Sequence, residues 1–231
     1  MNIVITGASS GIGREIAIKL AETPQNRIIA ISRNKNALRS LADGCKNRNI
    51  TAMPLDIAGP RSSLRELIKS LSIDPGTIDI LVNNAGYLVN KPFEEHSEED
   101  IAKIMAVNFT GAAALITELL PLFTKGSHVV NTGSMGGFQG SLKFSGLSYY
   151  SAAKGALAIL TESLAAEYAD RGISFNCICP GAVQTEMFSE AFPGYKAPVS
   201  PEEMAGFIAD FAVNGNRFFN GKILPVALSV P

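Results

Sequence analysis

Tyr150 and Lys154 stand four positions apart in a segment of helical period, so their side chains share one face of a helix. A tyrosine hydroxyl of ordinary pKa, about 10, is a poor proton carrier at neutral pH. A neighbouring ammonium favours the phenolate and brings the group toward working pH, which suits general acid–base work at a carbonyl oxygen. Taken alone, the same spacing also describes a plain surface pairing. A second constellation lies at the start of the chain. Asn2–Thr6 reads as a strand and runs directly into Gly7-Ala8-Ser9-Ser10-Gly11-Ile12-Gly13, ahead of a helical segment. Glycines admit backbone angles closed to other residues and let the chain approach a pyrophosphate with no Cβ in the way. The free N–H groups and positive dipole end of the next helix then face the anion. The spacing is Gly-x3-Gly-x-Gly rather than Gly-x-Gly-x2-Gly, and a tight turn without a ligand would also use such glycines.

The elements that must carry these groups alternate. Short apolar runs at Asn2–Thr6, Arg27–Ser32, Ile50–Leu55, Ile78–Asn83, His128–Thr132, Ile173–Ile178 and Lys222–Leu228 predict strands. Between them, Gly13–Glu22, Asn34–Cys45, Pro60–Leu71, Glu98–Phe123, Tyr150–Asp170 and Pro201–Val213 predict helices. The last has a defined start, with Ser200 as N-cap, Pro201 in the first helical position and Glu203 closing a capping box. Nearly unbroken apolar strands require a sheet covered on both faces. Strict alternation implies parallel strands joined by right-handed crossovers. The expected fold is α/β, a doubly wound Rossmann-type parallel sheet of about seven strands with helices on both faces. No linker, repeat or low-complexity tract interrupts it, so residues 1–231 are expected to form one dinucleotide-binding and catalytic domain. Two long loops, Gly133–Ser148 and Ala182–Val199, each follow a strand and belong at the carboxyl edge, where ligands bind in such sheets. Met187, Phe188, Phe192 and Tyr195 make the second, at about 182–199, either a mobile substrate lid with an apolar wall or a segment packed on the core or a partner subunit.

Composition narrows the partners. A net charge of −1 leaves no electrostatic footprint for nucleic acid or an anionic membrane. Cys177 and Cys179 share a strand face, too far apart along it to bridge, and Cys45 stands alone. His96 and His128 have no ligand-type neighbours, so no metal is expected. Ile101–Phe123 is apolar enough to suggest a membrane span, but Lys103, Asn108 and Glu118 make it a core helix. Strand-like residues begin at Asn2 with no signal-peptide pattern, and the expected location is cytoplasmic.

Taken together and in order, Thr6-Gly7-x3-Gly11-x-Gly13, Asn83-Asn84-Ala85-Gly86, Ser134, Tyr150-x3-Lys154 and Pro180-Gly181 resemble the short-chain dehydrogenase/reductase family, from Asn2 to about Pro225. The resemblance implies a nicotinamide-dependent oxidoreductase, a small carbonyl or alcohol substrate, and a homodimer or homotetramer. It implies that Tyr150 is the proton donor in reduction and the base in oxidation. Lys154 would lower its pKa and bond the nicotinamide ribose. Ser134 would hold the substrate oxygen, and Asn108 would position a water linking Lys154 to solvent; a helix defect with a capped carbonyl is the other reading of Asn108. Gly7, Ser9, Ser10, Gly11, Ile12 and Gly13 would cradle the phosphates. Asn83, Asn84, Ala85 and Gly86 would pass beneath the adenosine ribose and Asp56-Ile57 would meet the adenine. Pro180, Gly181, Val183 and Thr185 would line the nicotinamide end, the last two at its amide. Two stretches depart from the family. The spacing from Ser134 to Tyr150 is longer, leaving Ser141, Ser145 and Ser148 as rivals to Ser134, and Ala227-Leu228-Ser229 replaces the usual Asp-Gly-Gly turn.

The second strand ends Ile31-Ser32-Arg33-Asn34. NAD(H) calls for an acidic side chain here to accept from the ribose 2′-hydroxyl, whereas NADP(H) needs a cation. Ser32 stands in the acid's place and Arg33 supplies the cation, so NADP(H) is expected over NAD(H), unless Arg33 is only a charged loop residue. Two other functions fit the scaffold, a nucleotide-sugar epimerase or dehydratase and a non-catalytic NADP(H) sensor. The short stretch after Pro180 argues against the first, and the intact Asn108, Ser134, Tyr150 and Lys154 against the second.

Overall fold

Apolar side chains alternate between two faces along each strand, and both faces are buried, because helices cover each side. The computed structural model describes residues 1–70 and 77–228. Strands β1 (Asn2–Thr6), β2 (Arg27–Ser32), β3 (Ile50–Pro54), β4 (Ile78–Asn83), β5 (Phe123–Thr132), β6 (Ser174–Pro180) and β7 (Lys222–Val226) form one sheet in the order β3-β2-β1-β4-β5-β6-β7. Every neighbouring pair is parallel.

Helices α1 (Gly11–Ala21), α2 (Lys35–Asp43) and α8 (Pro201–Asn214) cover one face. Ile3, Ile5 and Val82 of the sheet meet Ile16, Leu38 and Ile208 there. Helices α3 (Arg61–Ser70), α4 (Glu98–Met105), α5 (Gly111–Leu119) and α6 (Ser148–Glu167) follow the intervening strands. Val4, Leu81 and Phe175 meet Leu64, Leu115 and Ala165 in the second core. Helix α7 (Glu186–Ala191) lies in the long loop after β6. The expected start of α8 is present, since Ser200 Oγ accepts from the Glu203 amide at 3.2 Å and the Glu203 carboxylate from the Ser200 amide at 2.8 Å. Leu71, the last residue of the expected third helix, and Ser229 lie outside the described residues.

Besides the short helix α7 inside the loop expected at about 182–199 and small shifts at element ends, two elements differ from the sequence expectation. The run expected as one helix over Glu98–Phe123 is interrupted by a single π turn at Ala106–Thr110 and ends in a short 3-10 turn at Leu120–Leu122. Phe123 already belongs to β5, which begins five residues before His128. Its register against β4 jumps from Ile78↔Phe123 to Ile80↔His128. Thr124, Lys125 and Gly126 are exposed at that irregularity, which hid the strand from an apolar-run criterion. Glu98–Leu122 is the one helical run among the described residues long and apolar enough to cross a membrane. Its Leu115, Ile116 and Leu119 are instead buried against the sheet.

Chain order reverses about β1, which has β2 on one side and β4 on the other. Loops leaving their carboxyl ends diverge to opposite faces and leave a crevice.

Candidate active site

The crevice is a cleft of about 1170 Å³, lined by the turns that follow β1, β2, β3, β4, β5 and β6. The glycine turn forms its floor. Gly7 and Gly11 have φ of +69° and +52°, a region costly for residues with a Cβ. A Cβ on Gly7 would also stand 2.8 Å from Ala85 Cα, so this glycine lets the β1 and β4 turns touch. Thr6, fully buried, fixes that contact, its Oγ1 accepting from the Asn84 and Ala85 amides at 3.1 and 3.0 Å. Helix α1 starts at Ser10 with no side-chain cap and no acidic residue in its first turn, so its leading N–H groups keep their positive field.

Ser9, Ser10, Gly11, Ile12, Arg33, Asp56, Ile57, Ala85, Gly86, Ser134, Tyr150, Lys154, Pro180, Gly181, Val183 and Thr185 all line this cleft, as Gly7 does. Three expected residues do not. Gly13 packs beneath the turn, where a Cβ would fall on Gly7 O and Asn84 Nδ2. Asn83 is buried in the sheet, its Nδ2 donating to Asn131 Oδ1 at 2.9 Å; its neighbour Asn84 faces the cleft instead. Strand parity explains the swap, since successive side chains point to opposite faces.

Asn108 is also buried, at the centre of the π turn. Its Nδ2 donates to the carbonyls of Ile104 at 2.9 Å and Tyr87 at 2.6 Å, while Oδ1 accepts from the Tyr87 amide at 3.2 Å. Both donors are therefore used, and one lone pair remains for a water. Asn108 caps the helix defect and pins the β4 turn at once. A Cβ on Gly86 would meet Asn108 Oδ1 at 3.4 Å and Lys154 Nζ at 3.9 Å, which puts the amide and the ammonium both beside this glycine.

Tyr150 and Lys154 lie in the opening turns of α6. The turn after β5 reaches them through close backbone packing, because a Cβ on Gly137 would stand 2.6 Å from Gly155 N. Ser134 Oγ accepts from the Gly136 amide at 3.1 Å and meets the Tyr150 hydroxyl, whose pKa its hydrogen bond draws down. The rival Ser141 is spent on the loop, donating to the Phe138 carbonyl at 2.9 Å and to the Met135 carbonyl. Ser145 and Ser148 are exposed and outside the cleft lining.

The electrostatics differ from the simple expectation. Burial of the hydroxyl among protein groups pushes Tyr150 up to about 12, and the Ser134 hydrogen bond only partly opposes it. Tyr150 is half-open to the cleft as a residue, so the shift belongs to its inner, polar end. Lys154 is bonded elsewhere in this arrangement. Its Nζ lies 5.8 Å from the Tyr150 ring centroid and donates to the Thr132 carbonyl at 2.7 Å. Burial also brings Lys154 down to about 8, while Cys177 and Cys179 oppose that shift. These two thiols are free, their Sγ atoms 3.9 Å apart beneath Gly133.

At the other end, Arg33 is exposed on the cleft rim and forms no ion pair among the described residues. Ser32 Oγ accepts from the Asn34 amide at 3.1 Å. Sequence reasoning left Thr132 and Tyr87 out of the site, and it gave Asn83 and Asn84 the same role. Alternation along β4 was the available signal that Asn84 alone faces the cleft; nothing in the chain marked Thr132 and Tyr87.

A glycine turn at a topological switch point, with a Tyr–Lys helix and a serine opposite, defines a Rossmann-type oxidoreductase scaffold. Residues 1–196 match the family model for short chain dehydrogenases. The chain belongs to the short-chain dehydrogenase/reductase family. It is 31% identical over 237 residues to the meso-2,3-butanediol dehydrogenase of Serratia marcescens, covering 97% of this chain and 92% of that one. Among solved structures it is similar to a short chain dehydrogenase from Escherichia coli complexed with NADPH, at 29% identity and a TM-score of 0.88, covering 97% of this chain and 95% of that one. A protein from Shigella flexneri complexed with NADP is similar at 28% identity, with the same TM-score of 0.88 and coverage of 97% and 95%.

Proposed function

We propose that this oxidoreductase uses NADP(H) to interconvert a carbonyl compound and a secondary alcohol, with Tyr150, Ser134, Lys154 and Asn108 as its working residues. The observation that carries the reading is the pair of facing hydroxyls, Ser134 and Tyr150, in the same cleft as the glycine turn and the unpaired Arg33.

The residues present fit the dinucleotide. The side-chain-free floor at Gly7 and Gly11 admits a pyrophosphate, and the uncapped start of α1 favours its charge. Arg33 suits a 2′-phosphate, and no carboxylate stands at Ser32 to favour NAD(H). Relatives complexed with NADP and NADPH support the same choice. When bound, NADPH supplies the hydride.

Ser134 donates to the substrate oxygen and stabilises the negative charge that develops there. Tyr150, held at about 12, is fully protonated at neutral pH and delivers its proton to that oxygen. Lys154, bonded to the Thr132 carbonyl, would supply the cation beside the site and hold the ribose hydroxyls of the bound coenzyme. Asn108 holds the β4 turn beside Lys154 and retains one lone pair for a water on the proton path.

The test is NADPH absorbance followed against a panel of aldehydes and ketones. Carbonyl-dependent NADPH consumption is expected; tight NADPH binding with no turnover on any carbonyl would leave a sensor instead.

A further inference from the structure

Three loops converge at the Tyr150 end of the cleft and are tied to one another. The Lys91 amide, after β4, donates to the Gly146 carbonyl, after β5, at 3.1 Å. Asn90 Nδ2 donates to the Ala191 carbonyl at the end of α7 at 2.8 Å. Gly146 has φ of +83°, and a Cβ there would fall on Asn90 Oδ1, so the crossing needs glycine. The third tie is aromatic. Phe144 meets Phe192 edge-on with centroids 6.3 Å apart, and Phe192 packs on Phe188 at 5.1 Å. The Phe144 carbonyl accepts from the Leu147 amide at 3.3 Å, which sets Phe144 immediately ahead of the helix that carries Tyr150.

Resting on the reductase reading above, we propose that the carbonyl substrate carries a bulky apolar group, an aryl ring or an alkyl chain of several carbons, seated against the roof of Phe144, Phe188 and Phe192. Phe144 is then a specificity-determining residue.

The chemistry of the lining supports this. Met135, beside Ser134, and Leu147, one turn before Tyr150, are buried and present apolar surface to the cleft. Phe144 and Met187 line the same cleft yet remain 47% and 37% exposed, which is apolar area a ligand would cover. Charged groups are poorly placed for an anionic substrate. Glu186, Glu190 and Lys196 are exposed, and the one buried cation in the lining among the described residues, Lys154, is bonded to the Thr132 carbonyl. A substrate carboxylate or phosphate beside the carbonyl would lose its water where the buried cation is already bonded.

The experiment is a series of 2-alkanones from propanone to undecan-2-one with NADPH, beside pyruvate and hydroxyacetone. Calorimetry of nonan-2-one on NADP-saturated enzyme supplies a readout independent of turnover. Expected is a rise in kcat/KM of about fourfold per added methylene until the pocket fills, carried mainly by KM. Phe144→Ala, a change in an exposed loop, should flatten that rise and weaken nonan-2-one binding by about tenfold, with the circular dichroism unchanged. A flat series, or pyruvate or hydroxyacetone as the better substrate, overturns the inference while leaving the reductase reading intact. If no carbonyl is reduced, the reductase reading fails. Calorimetry then decides the pocket: Phe144-dependent heat upholds it, and no binding overturns it.

Discussion

Removing the Arg33 guanidinium should convert a cofactor preference into near-indifference. Arg33 follows the last residue of β2, sits on the cleft rim, and has no competing carboxylate partner among the described residues. Its charge is therefore free for a ligand phosphate. A charge-assisted hydrogen bond of this kind contributes about 1.5–3 kcal/mol, or roughly ten- to 150-fold in affinity. Arg33 is exposed, so the lower end applies at physiological salt, where charges are screened beyond about 8 Å; at 0.01 M the screening length grows to about 30 Å. Arg33→Ala should weaken NADPH by about tenfold at physiological salt, more at low salt, and leave NADH nearly unchanged. Adding Ser32→Asp should favour NADH further, since a carboxylate there accepts from a ribose hydroxyl and repels the phosphate. It also keeps an acceptor for the Asn34 amide that Ser32 now holds. Fluorescence titration of both coenzymes against wild type and variant, at two salt concentrations, is the assay. If wild type binds NADH as tightly as NADPH, or the ratio moves less than about threefold on mutation, the reasoning about Arg33 is wrong.

Gly13→Ala should cost about 1–3 kcal/mol of stability and weaken NADPH binding, because its Cβ meets the Gly7 carbonyl as well as the Asn84 side chain, and the backbone cannot swing aside; urea denaturation and a coenzyme titration check it. With Lys154 brought down to about 8, kcat/KM for reduction should fall above that pH as the ammonium is lost, and Lys154→Arg, which stays charged, should move that limb upward. Burial holds His128 at about 4, below its ordinary 6.5, so the unfolded chain takes up this proton first. Stability should then be lost as pH falls from about 6.5 toward 4, by about 3 kcal/mol from this group, and His128→Gln should remove that slope in urea midpoints.

Much of this architecture is legible because the sheet is buried on both sides. Arg27–Ser32 and Ile78–Asn83 are bounded in the structure as the apolar runs bound them, since Ile28–Ile31 and Ile80–Val82 stay unbroken up to the last strand residue. β5 starts earlier because Lys125 and Gly126 bulge into solvent while Ser127 turns inward to donate to the Ile78 carbonyl at 2.7 Å. The π turn at Asn108 leaves the apolar period almost undisturbed, so its sole trace is an asparagine in a helix interior, followed by Gly111. A Cβ on that glycine would stand 2.7 Å from the Ile57 carbonyl. Tyr150 and Lys154 are fixed by helical spacing, whereas the distance from Lys154 Nζ to the Thr132 carbonyl depends on how α6 meets β5. That is tertiary information, and helical spacing alone does not carry it.

The claim that Tyr150 is the proton donor is tested most directly by Tyr150→Phe, assayed for NADPH-dependent reduction of a verified carbonyl substrate alongside a coenzyme titration. The ring and its packing are kept and the hydroxyl alone is lost. The account predicts NADPH binding within about twofold of wild type and a fall in kcat of roughly 10²- to 10⁴-fold. A Tyr150→Phe enzyme that binds NADPH normally and turns over at the wild-type rate would contradict it.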